Sequence, residues 1–296
     1  MREGQTAELA EEIAGQPSSE RAARVSARPT PGIVTARPRG LGERWGNFAF
    51  VLSSLVMRDF RVRYRNMSLG VLWSLANPLI MMLVLTFVFS RVFPNTKVKS
   101  YPIFLLSGLI PYNFFALAWG AGTVSLHMNA SLVKRVRMQR ELIPISAVLA
   151  LSIHFLIQLV LLLAFVVISG LPFTKMWLWI PAVVLLELLS VCGLTLLSSA
   201  LDVYLRDTRY VVDSIITMLF WLTPIFYPID LIPTRYRSFY ELNPLASVVI
   251  SLRNILLDVQ PPMVQLFCKG LVASTVIFGA GVFVFNRWKG QFGDYL

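Results

Sequence analysis

Three aspartates, Asp202, Asp207 and Asp213, form the group of acidic side chains that best suits acid–base chemistry in this sequence. An enzyme that transfers a sugar or acyl group to a lipid needs acidic or histidine side chains gathered at one face of the membrane. Arg206 and Arg209 stand beside these aspartates, and such neighbours favour salt bridges. A polytopic lipid-modifying transferase therefore stays open as an alternative, with these aspartates as its candidates.

Histidine and cysteine point to no further site. His127 and His154 are isolated, and Cys192 and Cys268 fall in apolar runs without disulfide or zinc-site spacing. The sequence also has no GxxxxGK[ST], HExxH or GxSxG pattern. We therefore expect no enzyme and no cofactor or metal site in this chain, so any energy for work must come from a partner.

Long apolar runs dominate the sequence. Of 296 residues, 56% are hydrophobic and only 15% are charged, whereas soluble domains carry about a quarter charged residues. A membrane-spanning helix needs about 20 apolar residues, and six runs meet that length. The predicted fold is an all-α membrane protein with six transmembrane helices. The predicted spans, within a transmembrane domain at 67–286, are about 68–92, 102–126, 142–169, 177–201, 210–228 and 263–286.

Few ionisable residues interrupt these runs. Glu187 is the deepest, and Asp213 and Lys269 lie nearer to the ends of their predicted spans. Transporters coupled to protons or ions usually need such groups at mid-membrane. We interpret these three side chains as helix-packing or interface groups.

The first 66 residues differ from the rest. Residues 1–45 have no apolar core and predict a disordered cytoplasmic tail, neither a signal peptide nor a domain. Residues 46–66 place apolar side chains at helical spacing and end in arginines, which predicts an amphipathic helix on the membrane surface. A short soluble helix is the alternative. The arginines expected to face anionic headgroups are Arg58, Arg61, Arg63 and Arg65.

Basic residues indicate the orientation. Nineteen of the 27 Lys and Arg residues fall on the side that holds both termini, including the C-terminal segment 287–296. Because Lys and Arg accumulate on cytoplasmic loops, both termini are expected in the cytoplasm. The net charge of +11 follows this face and the tail, so anionic lipids explain it better than nucleic acid.

One compact basic segment, SLVKRVRMQRELIP at 131–144, separates two of the apolar runs. Leu132, Val133 and Val136 can lie on one side of a short helix, with basic residues on the other. Such a segment suits a groove in a soluble partner. A plain cytoplasmic loop is the alternative.

Several ordered motifs resemble a known family. They are RDFRVRYRNMSLGVLW from 58, the NASLVKRV loop from 129, RDTRY from 206 and NPLA from 243. The chain from about residue 45 resembles the membrane subunits of ABC-2 type polysaccharide exporters. That resemblance implies a bacterial inner-membrane homodimer with two ABC ATPase subunits, which bind ATP and Mg. The implied substrate is a polyprenyl-linked polysaccharide such as O-antigen, teichoic acid, capsule or galactan. An ATP-independent channel stays open as an alternative.

The resemblance also assigns the basic segment. In the family this loop forms a coupling helix that docks on the ATPase, which predicts a cytoplasmic coupling helix here. The implied coupling residues are Asn129, Ala130, Leu132, Val133, Lys134, Arg135, Val136, Arg137, Arg140 and Glu141.

Aromatic residues suggest a path for a polymer, because sugar rings stack their C–H faces on aromatic rings. Aromatic residues also gather at membrane interfaces, so a lipid-facing role stays open. The candidates for the channel are Trp73, Tyr112, Phe114, Phe115, Trp119, Phe220, Trp221, Phe226 and Tyr227.

Between predicted spans five and six, prolines at 228, 233 and 244 break the segment YPIDLIPTRYRSFYELNPL into pieces too short to span a membrane. Such backbone at membrane depth is tolerated where protein or water satisfies it. We predict re-entrant external helices that form a gate. A surface loop on the outer face is the alternative.

Overall fold

The computed structural model describes residues 41–64, 72–89, 100–135 and 138–296. The chain divides into two compact units, Met1–Asn47 and Phe48–Leu296, and the helices below belong to the second unit apart from the start of the first helix. Most of the predicted tail lies outside the described residues. So do Arg65, Val136 and Arg137, while for Trp73 and Arg135 only the backbone is described.

The described residues are mostly helical and include no strand, which confirms the all-α class. The α-helices are α1 (Leu41–Tyr64), α2 (Leu72–Phe87), α3 (Tyr101–Thr123), α4 (Ser125–Met128), α5 (Ala130–Arg135), α6 (Leu142–Ile168), α7 (Ile180–Tyr204), α8 (Thr208–Leu222), α9 (Thr234–Glu241), α10 (Pro244–Leu256), α11 (Val264–Trp288) and α12 (Phe292–Tyr295). Short 3-10 turns lie at Lys175–Trp179, Ile229–Leu231 and Lys289–Gln291.

Four helices in the described part are long and apolar enough to cross a membrane: α3, α6, α7 with its preceding 3-10 turn, and α11. The first and fifth predicted spans coincide with shorter helices, α2 with 16 residues and α8 with 15. At 1.5 Å per residue these two helices measure about 24 and 22 Å, less than the roughly 30 Å of a bilayer core. The structure therefore establishes a multi-helix membrane protein with four long helices.

Proline and glycine mark several helix ends. Pro102, Pro181 and Pro244 lie in the first turns of α3, α7 and α10, where a missing N–H costs nothing. Gly170 follows α6 with a φ of 79°, a conformation that side chains with a Cβ avoid. These residues therefore help to fix where α3, α7 and α10 begin and where α6 ends.

Helices α7 and α11 form the closest helix pair. A Cβ added to Gly281 would lie 2.2 Å from the carbonyl oxygen of Gly193, so the two backbones touch there. The hydroxyls of Ser190 and Ser274 share a hydrogen bond of 2.7 Å nearby. Small residues allow such close approach between membrane helices. This pair forms a rigid centre against which the other helices pack.

Helix α10 is buried along its whole length. Its N-terminus is capped by Asn243, whose side chain accepts a hydrogen bond from the Leu245 N–H at 3.0 Å. The helix packs against α3, α7 and α11. A helix that is surrounded by protein on all sides can carry polar side chains inward, and α10 buries Arg253 and Asn254.

Candidate functional site

Helix α8 turns a polar face away from the helix bundle. Tyr210, Asp213, Ser214, Thr217 and Trp221 are all exposed, and their spacing of three or four residues places them on one side of the helix. We call these five residues the polar row. A helix in contact with lipid presents apolar side chains outward. The polar row therefore indicates that this face of α8 contacts something other than lipid tails.

The hydroxyl groups of the polar row keep free acceptor sites. Ser214 donates its hydroxyl proton to the carbonyl of Tyr210 at 2.8 Å, and Thr217 donates to the carbonyl of Asp213 at 2.9 Å. Each hydroxyl oxygen retains lone pairs that can accept a proton from an outside donor. The row can therefore accept hydrogen bonds from a polyhydroxylated molecule at little conformational cost.

A buried arginine fixes the loop that follows α8. Arg253 donates to the carbonyls of Pro224 at 2.5 Å and Ile225 at 2.6 Å. Its guanidinium also lies 3.5 Å from the centre of the Phe104 ring, a cation–π contact. Tyr101 donates to the carbonyl of Phe226 at 2.9 Å. The end of α8 is therefore anchored to both α3 and α10.

Four of the predicted channel aromatics lie inside the bundle. Tyr112 donates to the carbonyl of Ile216 at 3.0 Å, and the Trp119 ring N–H donates to Ser198 at 3.2 Å. Phe114 and Phe115 are each only 2% exposed. All four residues pack α3 against neighbouring helices. Their burial therefore conflicts with the prediction that a polymer stacks directly on Tyr112, Phe114, Phe115 and Trp119.

The aromatic residues at the end of α8 behave differently. Adjacent ring centres in the set Phe220, Trp221, Phe226 and Tyr227 lie 5.1–5.5 Å apart. Tyr227 donates to the carbonyl of Trp221 at 3.0 Å. The structure brings these four predicted residues together, and the exposed Trp221 ring ends the polar row.

The predicted coupling residues begin at Asn129, directly after the short helix α4, and the first of them form α5. We call residues 125–141 the coupling segment. Met128 is 80% exposed, and Ser131 and Lys134 are exposed as well. Val133 is buried among residues of this chain, in a cluster that includes Phe285 and Phe292. The expected apolar side for a partner groove is therefore partly wrong, since Val133 packs inward and Leu132 packs against the same cluster. Among the side chains that the structure describes in α4 and α5, the outward ones are Met128, Ser131 and Lys134.

Helix α1 contacts the coupling segment through a hydrogen bond. Arg58 donates to the Asn129 side chain at 2.9 Å and to the Asp59 carboxylate at 2.7 Å. Arg58 was expected to face lipid headgroups. Its guanidinium instead donates to Asp59 and Asn129, so the side chain points toward protein. Arg61 and Arg63 remain exposed.

The C-terminal residues brace the coupling segment from the other side. Arg140 donates to the carbonyl of Lys289, and the Lys289 ammonium lies 3.6 Å from the Glu141 carboxylate. His127 pairs with Asp202 at 3.0 Å, whereas arginine neighbours were the expected partners of that aspartate. Movement of this segment must therefore displace α1, α7 and the C-terminus together.

Sequence reasoning missed several of these residues. Ser214 and Thr217 share helical spacing with Trp221, so a helical projection would have revealed the polar row. Met128 and Ser131 were omitted because their residue types carry no coupling signal. The long-range pair His127 and Asp202 left no local pattern at all.

The described residues hold no group of three or more His, Cys, Asp or Glu side chains that could bind a metal. Glu187 is 1% exposed, and neither carboxylate oxygen has a hydrogen-bond partner among the described residues.

Comparisons with known proteins agree with this arrangement. Residues 51–257 match the ABC-2 type transporter family. The chain is similar to the O-antigen export system permease protein RfbA of Klebsiella pneumoniae, with 30% identity over 84% of this chain and 97% of the relative. The RfbA protein of Myxococcus xanthus is 29% identical over 82% of this chain and 94% of that protein. The polysialic acid transport protein KpsM of Escherichia coli is 26% identical over 67% and 78%.

Proposed function

Because this chain belongs to the ABC-2 type transporter family, we propose that it is the permease subunit of an ATP-driven exporter for a lipid-linked polysaccharide. Relatives named as O-antigen export and polysialic acid transport proteins support that substrate class. The observation that carries the proposal is the polar row of α8. It places hydroxyl acceptors, a carboxylate and two aromatic rings on an outward face of a membrane helix.

A glycan has the matching chemistry. Its hydroxyl groups donate hydrogen bonds, and its sugar rings present C–H faces that stack on Tyr210 and Trp221. Several weak contacts along a row let a polymer slide, whereas one deep pocket would hold it. The row therefore serves as one wall of the proposed path, with Phe220, Phe226 and Tyr227 at one end.

The proposed topology has six crossings in the bacterial cytoplasmic membrane. Helices α2 and α8 complete the first and fifth crossings with their adjoining residues, and both termini face the cytoplasm. Helices α9 and α10 are the proposed re-entrant gate. A length of about 20 Å and burial along every face support re-entry for α10, because backbone at that depth needs protein around it.

A single polar row leaves the path open on one side, so we propose a homodimer whose second copy supplies the facing wall. Each copy would engage one ABC ATPase subunit, which binds the ATP and Mg that this chain does not hold. Native mass spectrometry should show two permease chains with two ATPase chains. One permease chain with one ATPase would contradict the assembly.

The proposed ATPase contact is the outward face of α4 and α5 together with the basic residues that follow. Met128→Asp combined with Lys134→Glu should uncouple hydrolysis from export while protein levels stay normal. Met128→Leu combined with Lys134→Arg keeps an apolar and a basic side chain at these positions and is the matched control. Normal export by the double variant would reduce the segment to a cytoplasmic loop.

Reconstitution tests the function as a whole. Vesicles that contain the permease and its ATPase should move a lipid-linked glycan across the bilayer only when ATP is supplied. Transport without ATP would favour the channel alternative. A covalently altered glycolipid without translocation would favour the transferase alternative.

A further inference from the structure

An apolar cavity of about 550 Å³ lies between α7, α8 and α11. It follows α8 from Thr208 to Leu222, and its base includes Phe115 and Trp119 of α3. At 1.5 Å per residue this part of α8 is about 21 Å long. We call this cavity the α8 groove.

The α8 groove is lined mainly by apolar side chains, and its few polar side chains already take part in hydrogen bonds. Ser198 accepts from Trp119, and Thr208 donates to the carbonyl of Leu205 at 2.7 Å. Asn243 is used in capping α10, and the Tyr240 hydroxyl pairs with Tyr227 at 3.5 Å. No charged residue lines the groove in the described part of the chain. A lining that is mostly apolar and uncharged favours a hydrocarbon occupant, because polar groups lose free energy when they are buried with few partners.

The width of the groove limits the shape of that occupant. A volume of about 550 Å³ over about 21 Å gives a mean cross-section of about 26 Å². A cross-section of this order accommodates a single flexible aliphatic chain that lies along the groove.

The groove runs directly beside the polar row. Its α8 residues include Val211, Ile215, Met218 and Leu222, each one position after a member of the row. Successive residues are 100° apart around a helix, so the apolar line and the polar row form adjacent parallel faces. A molecule with a polar chain and an aliphatic tail could contact both faces at once.

We propose that the α8 groove binds the aliphatic lipid tail of the exported glycolipid while the glycan lies along the polar row. This assignment rests on the proposed export function. The groove keeps the tail in an apolar environment within one helix width of the sugar chain. Carrier recognition therefore comes from α7, α8 and α11, independently of glycan composition.

Photolabelling of the full-length protein in phosphatidylcholine nanodiscs tests the groove without requiring transport. The probe is a long-chain polyisoprenyl phosphate with a diazirine on its tail. We expect labelled peptides from α7, α8 and α11, and competition by unlabelled polyisoprenyl phosphate. Val211→Trp and Met218→Trp fill the groove from exposed positions and should lower labelling about tenfold, equivalent to about 1.4 kcal/mol.

Val160→Trp, on the exposed face of α6, is the matched control and should label like the wild type. A diazirine phosphatidylcholine that labels the groove equally, without competition by polyisoprenyl phosphate, would overturn the assignment in favour of bulk lipid. A disulfide between two copies carrying Val211→Cys, with no tail labelling, would overturn it in favour of a second chain. Wild-type export in vesicles alongside either result would leave the export function standing and remove only the groove assignment.

Discussion

Helix α6 arranges its residues as a lipid-facing helix should. Leu156, Val160 and Val167 point outward with exposed fractions of 47%, 65% and 53%. Its polar residues turn inward, where the side chains of His154 and Gln158 meet at 3.0 Å. Helix α6 therefore presents hydrocarbon outward and keeps its hydrogen-bonding groups inside the protein.

Helix α8 differs, because it turns polar side chains outward beside the exposed Val211 and Met218. Val212 is buried and Leu219 packs against the apolar core, while Asp213, Ser214 and Thr217 point outward. Both helices belong to one membrane domain. The difference between their outward faces therefore reflects different surroundings. Because polar groups in contact with lipid tails are costly, we propose that α6 faces lipid and that α8 faces a water-filled path.

A charge placed on each outward face should give the largest contrast. Arginine at the centre of a lipid-facing helix costs about 2.5–3.5 kcal/mol on the insertion scale. Val160→Arg should therefore remove most folded protein, whereas Thr217→Arg should be tolerated. Fluorescence-detected size-exclusion chromatography of membrane extracts measures the difference, with Val160→Leu and Thr217→Ser as controls. Equal losses at both positions would mean that α8 also faces lipid.

The anchor at the end of α8 should give the next largest effect. Arg253→Met removes the donor of two buried carbonyls, and each unsatisfied group costs about 1–3 kcal/mol. We expect a clear drop in the thermal unfolding temperature. Arg253→Lys keeps the charge but loses the planar fork, so its unfolding temperature should fall between those of the wild type and Arg253→Met. An unchanged temperature for Arg253→Met would show that the loop after α8 needs no anchor.

The exposed ring of the polar row should have a smaller effect, on transport alone. One stacking contact contributes about 0.5–1.5 kcal/mol, so Trp221→Ala should slow export by about two- to thirteenfold. Trp221→Phe should remain close to the wild type. Phe283→Ala removes a ring that is 72% exposed on α11 and should leave export unchanged at matched expression. A similar loss from both alanine variants would assign Trp221 to the lipid belt.

The hydroxyls should give the smallest change. Ser214→Ala and Thr217→Val remove acceptors from the path, but each hydroxyl donates only to its own helix. We expect unfolding free energies within about 0.5 kcal/mol of the wild type and a modest decrease in export. A loss of folded protein would indicate that these hydroxyls support packing against another chain.

Hydropathy predicts the long helices because run length is a local property of the sequence. The helices α3, α6, α7 and α11 can be predicted from their own apolar runs, without information about the helices that pack against them. The length of α8 was overestimated, because an apolar loop such as Pro224–Phe226 is indistinguishable from helix by composition. Its conformation depends on Arg253, which lies far along the chain.

The candidate site was harder to predict because burial is a tertiary property. Tyr112 and Trp221 are both aromatic residues of predicted spans, yet one lies in the core and the other is exposed. The sequence predicts that Val133 is available to a partner, but in the structure it packs in one cluster with the C-terminal Phe292. Residue type restricts the possible roles, and packing decides among them.

Thiol accessibility tests the central contrast most directly. A thiol reacts as its thiolate, which forms in water and not in hydrocarbon. In a variant with Cys192 and Cys268 replaced by alanine, a charged methanethiosulfonate reagent should modify Ser214→Cys, Thr217→Cys and Trp221→Cys. Leu156→Cys and Val160→Cys should stay unmodified until the protein is unfolded. Equal protection of the α8 and α6 positions would contradict a water-filled path along α8.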